Sequence, residues 1–257
     1  MIDCYKFSLL CKYEECLHAV TTKQYLEPFS FSMALHTGEE KSTIVENRKK
    51  FDLMLNCGVL EKKKLHYVVA NQTHSDHIEV IVKTESKGWE SEEDAVANCD
   101  ALITNKKDVV LTILTADCVP ILLYDAEKKV VAAVHAGWRG TKAKIVAKTV
   151  KRMQEVFGCE PQNILAGVAP SIGRCCYEVG EEVAEHFFAD TDSFDVKGEK
   201  YMLDLPFINK KQLLNEGLLE KHIEMSDICT ACEVDRFFSY RKEHGCSGRF
   251  MSMIGIC

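Results

Sequence analysis

Val130-Val131-Ala132-Ala133-Val134-His135-Ala136-Gly137-Trp138-Arg139-Gly140-Thr141 decides the fold, because an apolar run with the length of a buried strand ends on a histidine and passes into a glycine-rich turn. Beyond it, Ile145, Val146, Val150, Met153 and Phe157 have the spacing of an amphipathic helix over Lys142–Phe157, with its N-terminus expected at Gly140-Thr141. Strand, turn and helix follow one another. Free backbone N–H groups and the positive end of the helix dipole would then lie beside Arg139, a suitable place for phosphate or another anion. An ordinary surface loop with an ordinary arginine fits these residues equally well.

Working outward, Asp108–Thr115 and Val119–Asp125 read as two strands interrupted by Ala116-Asp117-Cys118. Asp117 is the anomaly, since a carboxylate in apolar surroundings must be satisfied by hydrogen bonds, a cation or a metal-bound group. A third cluster, Asn71-Gln72-Thr73-His74-Ser75-Asp76-His77, separates the apolar runs Tyr67–Ala70 and Ile78–Val82. His74, Cys118 and His135 thus each fall at the end of a predicted strand. Two imidazoles and a thiolate suit a three-ligand zinc site with its fourth position open. The spacing also admits a hydrogen-bonded histidine beside a core cysteine, or a Cys118 nucleophile with His135 as its base.

Strands dominate up to His135, helices are predicted near Lys142–Phe157, Gly180–Phe188 and Pro206–Glu216, and further strands at Asn163–Val168, Arg236–Tyr240 and Phe250–Ile256. The segment Cys4–Tyr25 gives no clear pattern. This segregation predicts an α+β fold with a mixed sheet. A chain of 257 residues, 46% hydrophobic and 28% charged, can bury the core of one domain, here taken as 1–257. Its net charge of −7 is mixed rather than blocky, which argues against a nucleic-acid grip, so any phosphate must be met by local arginines. Neither a secretory signal nor a bilayer-length apolar run is visible, which points to the cytoplasm and to no membrane partner.

Thirteen cysteines, an odd number without an export signal, are expected to be reduced. Cys175-Cys176 and Cys229-Thr-Ala-Cys232 suggest a second metal or a redox pair, but the latter lacks a matching second CxxC, and ordinary cysteines are expected. His222-Ile-Glu224 followed by Cys229-Thr-Ala-Cys232 imitates the zinc nucleobase-deaminase order. The proline is missing and the intervening segment is too short for the strand and helix that separate the halves there, so it is rejected as a site.

Taken together, Gln72-Thr73-His74-Ser75, Thr115-Ala116-Asp117-Cys118-Val119-Pro120, His135-Ala136-Gly137-Trp138-Arg139-Gly140, Ala169-Pro170-Ser171-Ile172-Gly173, Cys176-Tyr177-Glu178-Val179 and Phe238-Ser239-Tyr240-Arg241 resemble the YfiH/laccase-domain family, in its order and from about Asn47 onward. The resemblance implies a β-rich centre flanked by helices. It also implies a purine nucleoside phosphorylase, reported in addition to deaminate adenosine and formerly called a polyphenol oxidase. Its metal ligands carry over to His74, Cys118 and His135, with zinc expected and copper the other candidate. Arg174 and the turn Lys242-Glu243-His244-Gly245-Cys246-Ser247 depart from the family's pattern.

Phosphorolysis of a purine nucleoside needs an anion site, partners for the ribose and a group that stabilises the departing base. Arg48, in Glu46-Asn47-Arg48, is the first choice for phosphate, with Arg139 and Arg241 as competitors, since guanidinium forks match phosphate oxygens. Glu178 is expected to bind ribose hydroxyls or relay a proton, and Gln72 and Asp117 to orient ligands. Catalytic roles are thus assigned to Arg48, Asp117, Cys118 and Glu178, and substrate contacts to Asn47, Gln72, Arg139 and Arg241, while Trp138 is a stacking surface or a loop anchor. Two other enzyme classes remain open. A copper-dependent phenol oxidase would require HxH-type histidine pairs, and the nine histidines here are scattered. A thiol hydrolase would use Cys118 and His135 as nucleophile and base.

Overall fold

The computed structural model describes residues 2–55, 64–245 and 247–257, so Cys246 of the divergent turn lies outside the described residues. Two mixed sheets form its centre. The first runs in the order Cys4–Tyr5, Cys16–Thr21, Phe250–Ile256, Val109–Thr115, His66–Val69, with the last pair parallel. The second runs Ile223–Met225, Ile164–Val168, Val119–Asp125, Val130–Ala136, Ala101–Thr104, Ile78–Val80, with parallel pairs at its two edges. Leu122, Tyr124, Val131 and Ala133 of the second sheet pack against Val68, Leu111, Ile113 and Ile254 of the first. With a side-chain period of two, the intervening Ile121, Leu123, Ala132 and Val134 must point the other way, and they pack against α3 (Ile145–Phe157) and α5 (Leu205–Asn215). The outer face of the first sheet carries Val110, Leu114 and Met253 against Phe31 and against Phe51 of α1 (Lys41–Leu55). The architecture is α+β, two sheets face to face with helices outside. Because both faces of each sheet are covered, Val109–Thr115, Val119–Asp125 and Val130–Ala136 are buried along their whole length, which is why they read as continuous apolar runs.

Helix α1 lies where the sequence pattern suggested mainly strands. Its buried positions Ile44, Asn47, Arg48 and Phe51 have helical spacing, but two of the four are polar, so the apolar stripe is hidden. The expected helix over Lys142–Phe157 is divided. A five-residue α2 (Trp138–Lys142) begins earlier than predicted, with Gly137 as its N-cap, and α3 starts after Lys144, whose φ is 61°. Asn209 and Gln212 of α5 donate to the Thr141 hydroxyl and carbonyl at this break. The interval Gly180–Phe188 forms α4 (Glu181–Ala184) and a 3-10 turn, as expected. Arg236–Tyr240 is not a strand: its backbone closes turns, with Phe237 N–H donating to the Glu233 carbonyl, and the buried Phe237 and Phe238 only mimic a strand pattern. Cys4–Tyr25, unreadable from sequence, supplies two strands of the first sheet.

Arg48, the first choice for phosphate, spends most of its donors on backbone. It is 1% exposed, and its guanidinium donates through Nε and Nη2 to the Met33 carbonyl and through Nη1 to the Gly88 and Trp89 carbonyls. Four of five N–H donors are therefore committed to backbone, and the side chain ties α1 to two loops at the wall of the cavity described below. Asn47 is likewise buried and donates to the Pro28 and Ser32 carbonyls, away from any ligand surface. Sequence alone could not separate these residues from a basic surface run, because their carbonyl partners are distant in the chain.

Arg48→Ala should therefore act first on stability. Leaving three buried carbonyls without a charged donor should lower the unfolding free energy by roughly 3 kcal/mol or more, and Arg48→Lys, which lacks the fork, should not restore it. Thermal and urea unfolding test this; wild-type stability in Arg48→Ala would show that the guanidinium is not a structural tie.

Candidate metal centre and cavity

The two sheets are joined where the chain leaves Val109–Thr115 of the first and enters Val119–Asp125 of the second, through Ala116-Asp117-Cys118. At this seam His74, from the loop after His66–Val69, and His135, from Val130–Ala136, meet Cys118. Their ligand atoms all lie within 4.8 Å of one another, with His74 Nε2 at 3.8 Å from Cys118 Sγ. Strand register explains the meeting: Pro120 pairs with His135 and Val119 with Ala136, so Cys118 falls beside Gly137. A Cβ on Gly137 would stand 3.1 Å from the Cys118 sulfur and 3.0 Å from the His74 ring, so only glycine leaves the ligands their room.

Asp100, which the sequence reading overlooked, organises these groups. It is fully buried, its Oδ1 lies 2.7 Å from His135 Nδ1, and its carbonyl accepts the His135 N–H at 2.7 Å. The same carboxylate accepts the N–H groups of Thr73, His74 and Ser75 and the Ser75 hydroxyl. It therefore fixes the His135 tautomer, leaving Nε2 for the cavity, and shapes the loop that presents His74, whose φ is 58°. Burial opposes ionisation of the Cys118 thiol, but the His135 and His74 imidazoles outweigh it and pull the thiol down to about 6. Against the same burial, the Cys118 sulfur and the Asp100 carboxylate push His135 up to about 9. A low-pKa sulfur between two imidazoles, one of them anchored by a carboxylate, has the donor chemistry of a metal site.

These three residues form one end of a cavity of about 680 Å³, whose wall includes Trp138, Ile172, Tyr177, Tyr240, Arg241 and Arg249. Asp117 lies on it with φ 90°, and its carboxylate accepts the Thr230 hydroxyl and the Arg241 backbone N–H, both at 2.7 Å. The anomaly in the sequence is thus met by hydrogen bonds, and Asp117 positions Arg241. Gln72 also lines the cavity, but its amide exchanges two hydrogen bonds with the Leu114 backbone and extends the parallel pairing of His66–Val69 with Val109–Thr115. Arg241 donates to the Glu178 carbonyl and lies over the Tyr177 ring. The Glu178 side chain itself is exposed and pairs with Lys197 at 3.2 Å, so the ribose role expected of it has no support in its position. Arg139 is exposed within α2, its guanidinium 4.3 Å from the Trp138 ring centroid, rather than preceding a long helix.

Arg249, not singled out from the sequence, brings a second guanidinium to the cavity wall, with Nη1 anchored on the Ser247 and Gly248 carbonyls. It follows the divergent turn, which masked it. Tyr177 was passed over for its neighbour Glu178, although alternation along the backbone sends adjacent side chains to opposite sides.

Residues 18–257 match the family model described as multi-copper polyphenol oxidoreductase laccase. The chain is 33% identical over 253 residues to a Bacillus subtilis protein named purine nucleoside phosphorylase YlmD, covering 95% of this chain and 89% of that one. It is 36% identical over 189 residues to adenosine deaminase RL5 from an unknown prokaryotic organism, covering 71% and 72% of the two chains. Among solved structures, a Bacillus licheniformis hypothetical protein YfiH superposes with a TM-score of 0.88 at 32% identity, over 96% of this chain and 94% of that one.

Asp100→Asn keeps the shape of the side chain but removes the charge that holds His135 Nδ1–H. Metal affinity should fall by about ten- to a hundred-fold, with thermal stability changing in parallel as the Thr73–Ser75 loop loosens. Competition against a chromogenic chelator measures it; an unchanged dissociation constant would mean that the carboxylate does not prepare the ligand set.

Proposed function

The chain belongs to the family described as multi-copper polyphenol oxidoreductase laccase, whose YfiH and YlmD relatives share its fold, and from that premise we propose that the seam cavity is the active site of a purine nucleoside phosphorylase. The enzyme cleaves adenosine, inosine and related nucleosides with phosphate, and an adenosine deaminase activity accompanies it at the same site. The observation that carries this is the placement of two guanidinium groups, Arg241 and Arg249, on the wall of the cavity that ends in His74, Cys118 and His135. An anion site and a metal-ligand set thus open into one space large enough for a nucleoside.

His74, Cys118 and His135 are the residues that would hold the metal, and two imidazoles with a thiolate favour zinc over magnesium or calcium, with copper second. When bound, the ion supplies Lewis-acid chemistry at the position those three ligands leave open. The chain's own residues do the rest. Arg241, fixed by Asp117 and the Glu178 carbonyl, and Arg249, fixed by the Ser247 and Gly248 carbonyls, hold phosphate with forks that lose little freedom on binding. Arg139 adds positive charge nearby, its guanidinium over the Trp138 ring, which the His186 ring braces at 5.9 Å. Arg48 is itself part of the wall, where its ties to Gly88 and Trp89 keep the cavity's shape. The whole chain, 1–257, works as one domain, and its reduced cysteines suit the cytoplasm.

The oxidase reading has little to stand on. Among the described residues one cluster of possible ligands contains histidine, and it has two. Multicopper chemistry needs several such centres. A thiol hydrolase would place one imidazole on Cys118 as its base, whereas here two converge on the sulfur in the manner of ligands.

Incubation with nucleosides and phosphate should release free purine and ribose-1-phosphate together, and omission of phosphate should abolish base release while sparing adenosine deamination. Free ribose in phosphate-free buffer would instead identify a hydrolase. Arg241→Ala and Arg249→Ala should each raise the phosphate KM or lower kcat/KM by about ten- to a hundred-fold with metal content unchanged. If both keep wild-type phosphate kinetics, the anion site lies elsewhere.

A further inference from the structure

Cys175 and Cys176 lie 53 or more residues before Cys229 and Cys232 in the chain, yet the four sulfurs stand within 4.8 Å of one another. Parallel pairing brings them together. Strands Ile164–Val168 and Ile223–Met225 run side by side, so the loops that follow them leave the sheet at the same end. The loops are then laced by backbone hydrogen bonds, Ser171 N–H to the Ile228 carbonyl and Thr230 N–H to the Ser171 carbonyl. This site is separate from the His74–Cys118–His135 centre and shares no residue with it.

We propose that Cys175, Cys176, Cys229 and Cys232 form a second metal site, a tetrathiolate that takes one structural zinc ion and clasps the two loops. The distances favour this over the alternatives. With zinc–sulfur bonds near 2.3 Å, a tetrahedron sets its sulfurs about 3.8 Å apart. Cys175 and Cys176 Sγ stand 3.6 and 3.5 Å from Cys232 Sγ. That is well beyond the roughly 2.05 Å of a disulfide. An iron–sulfur cluster spreads its thiolates over separate irons, which four sulfurs this close do not match. The surroundings are prepared as well. Gly173 N–H donates to Cys229 Sγ at 3.3 Å, and the backbone N–H groups of Ala231 and Cys232 face the same sulfur, the arrangement that stabilises a thiolate in a Cys-x-x-Cys turn. Gly173 lies against both cysteine pairs: a Cβ there would stand 3.5 Å from Cys175 Sγ and 3.4 Å from the Cys229 Cβ, in ordinary van der Waals contact.

The clasp also explains how the cavity wall is held. Ile172 and Tyr177 flank the first cysteine pair and line the cavity, and Thr230, between the second pair, donates to Asp117. The ion is structural, because all four protein ligands are present and no position is left for substrate.

Metal analysis of the whole chain tests this without reading activity, so it stands or falls independently of the phosphorylase assignment. Protein purified under reductant without chelator should hold about two zinc ions per chain. The count should fall to one in Cys229→Ser/Cys232→Ser, and also to one in His74→Ala/Cys118→Ala, each variant losing a different ion. Should the thiol variant fail to fold, cobalt loading of His74→Ala/Cys118→Ala gives the answer directly: its visible spectrum should show the strong sulfur-to-metal bands of a tetrathiolate alone. A single zinc in the wild type that disappears in His74→Ala/Cys118→Ala would overturn the proposal. So would acid-labile sulfide, or a Cys175–Cys232 disulfide in protein kept reduced.

Discussion

The Asp100 carboxylate is the constraint on which the site depends. A buried negative charge must find partners, and this one finds five backbone or hydroxyl donors in the Thr73–Ser75 loop together with the His135 imidazole. One side chain thereby couples a loop of the first sheet to a strand of the second and orients both histidines toward the same sulfur. The arrangement is stable because the charge is satisfied on every side, and any loss of partners would leave it exposed to a low dielectric. Its influence reaches Cys118, whose low pKa follows from the imidazole that Asp100 holds in place.

Around that core, polar side chains brace the cavity wall. Arg48 fastens α1 to the Met33 and Gly88–Trp89 segments, Gln72 completes the strand pairing at Leu114, and Asp117 carries Arg241. All three line the cavity, and each also holds a neighbouring segment of its wall in place. The reason is common to all three: a loop-rich wall between two sheets contains backbone groups without ladder partners, and long polar side chains are the means of satisfying them. Residues that contact a ligand are left with donors to spare, as Arg241 and Arg249 are. The four cysteines of the two laced loops serve the same wall from its far side, where a metal would do what hydrogen bonds do elsewhere.

The sequence by itself determined the buried strands of the core and the placing of His74, Cys118 and His135 at strand ends. Val109–Thr115, Val119–Asp125 and Val130–Ala136 are predominantly apolar on both faces, the pattern of buried strands, and local sequence shows which polar side chains stand at their ends. The helices expected over Lys142–Phe157 and Pro206–Glu216 were legible from local spacing, and the structure has them at Ile145–Phe157 and Leu205–Asn215. Tertiary structure decided the rest. It hid α1 by burying Asn47 and Arg48, broke one helix at Lys144 where α5 docks, and turned Arg236–Tyr240 away from strand geometry. It chose Asp100 over equally plausible carboxylates, moved Glu178 to the surface, brought Arg249 to the cavity, and placed Cys175-Cys176 beside Cys229 and Cys232. Periodicity and capping act within a few residues and are written in the chain, whereas hydrogen-bond partners and metal-ligand distances are set by strand register and sheet packing between segments far apart in it.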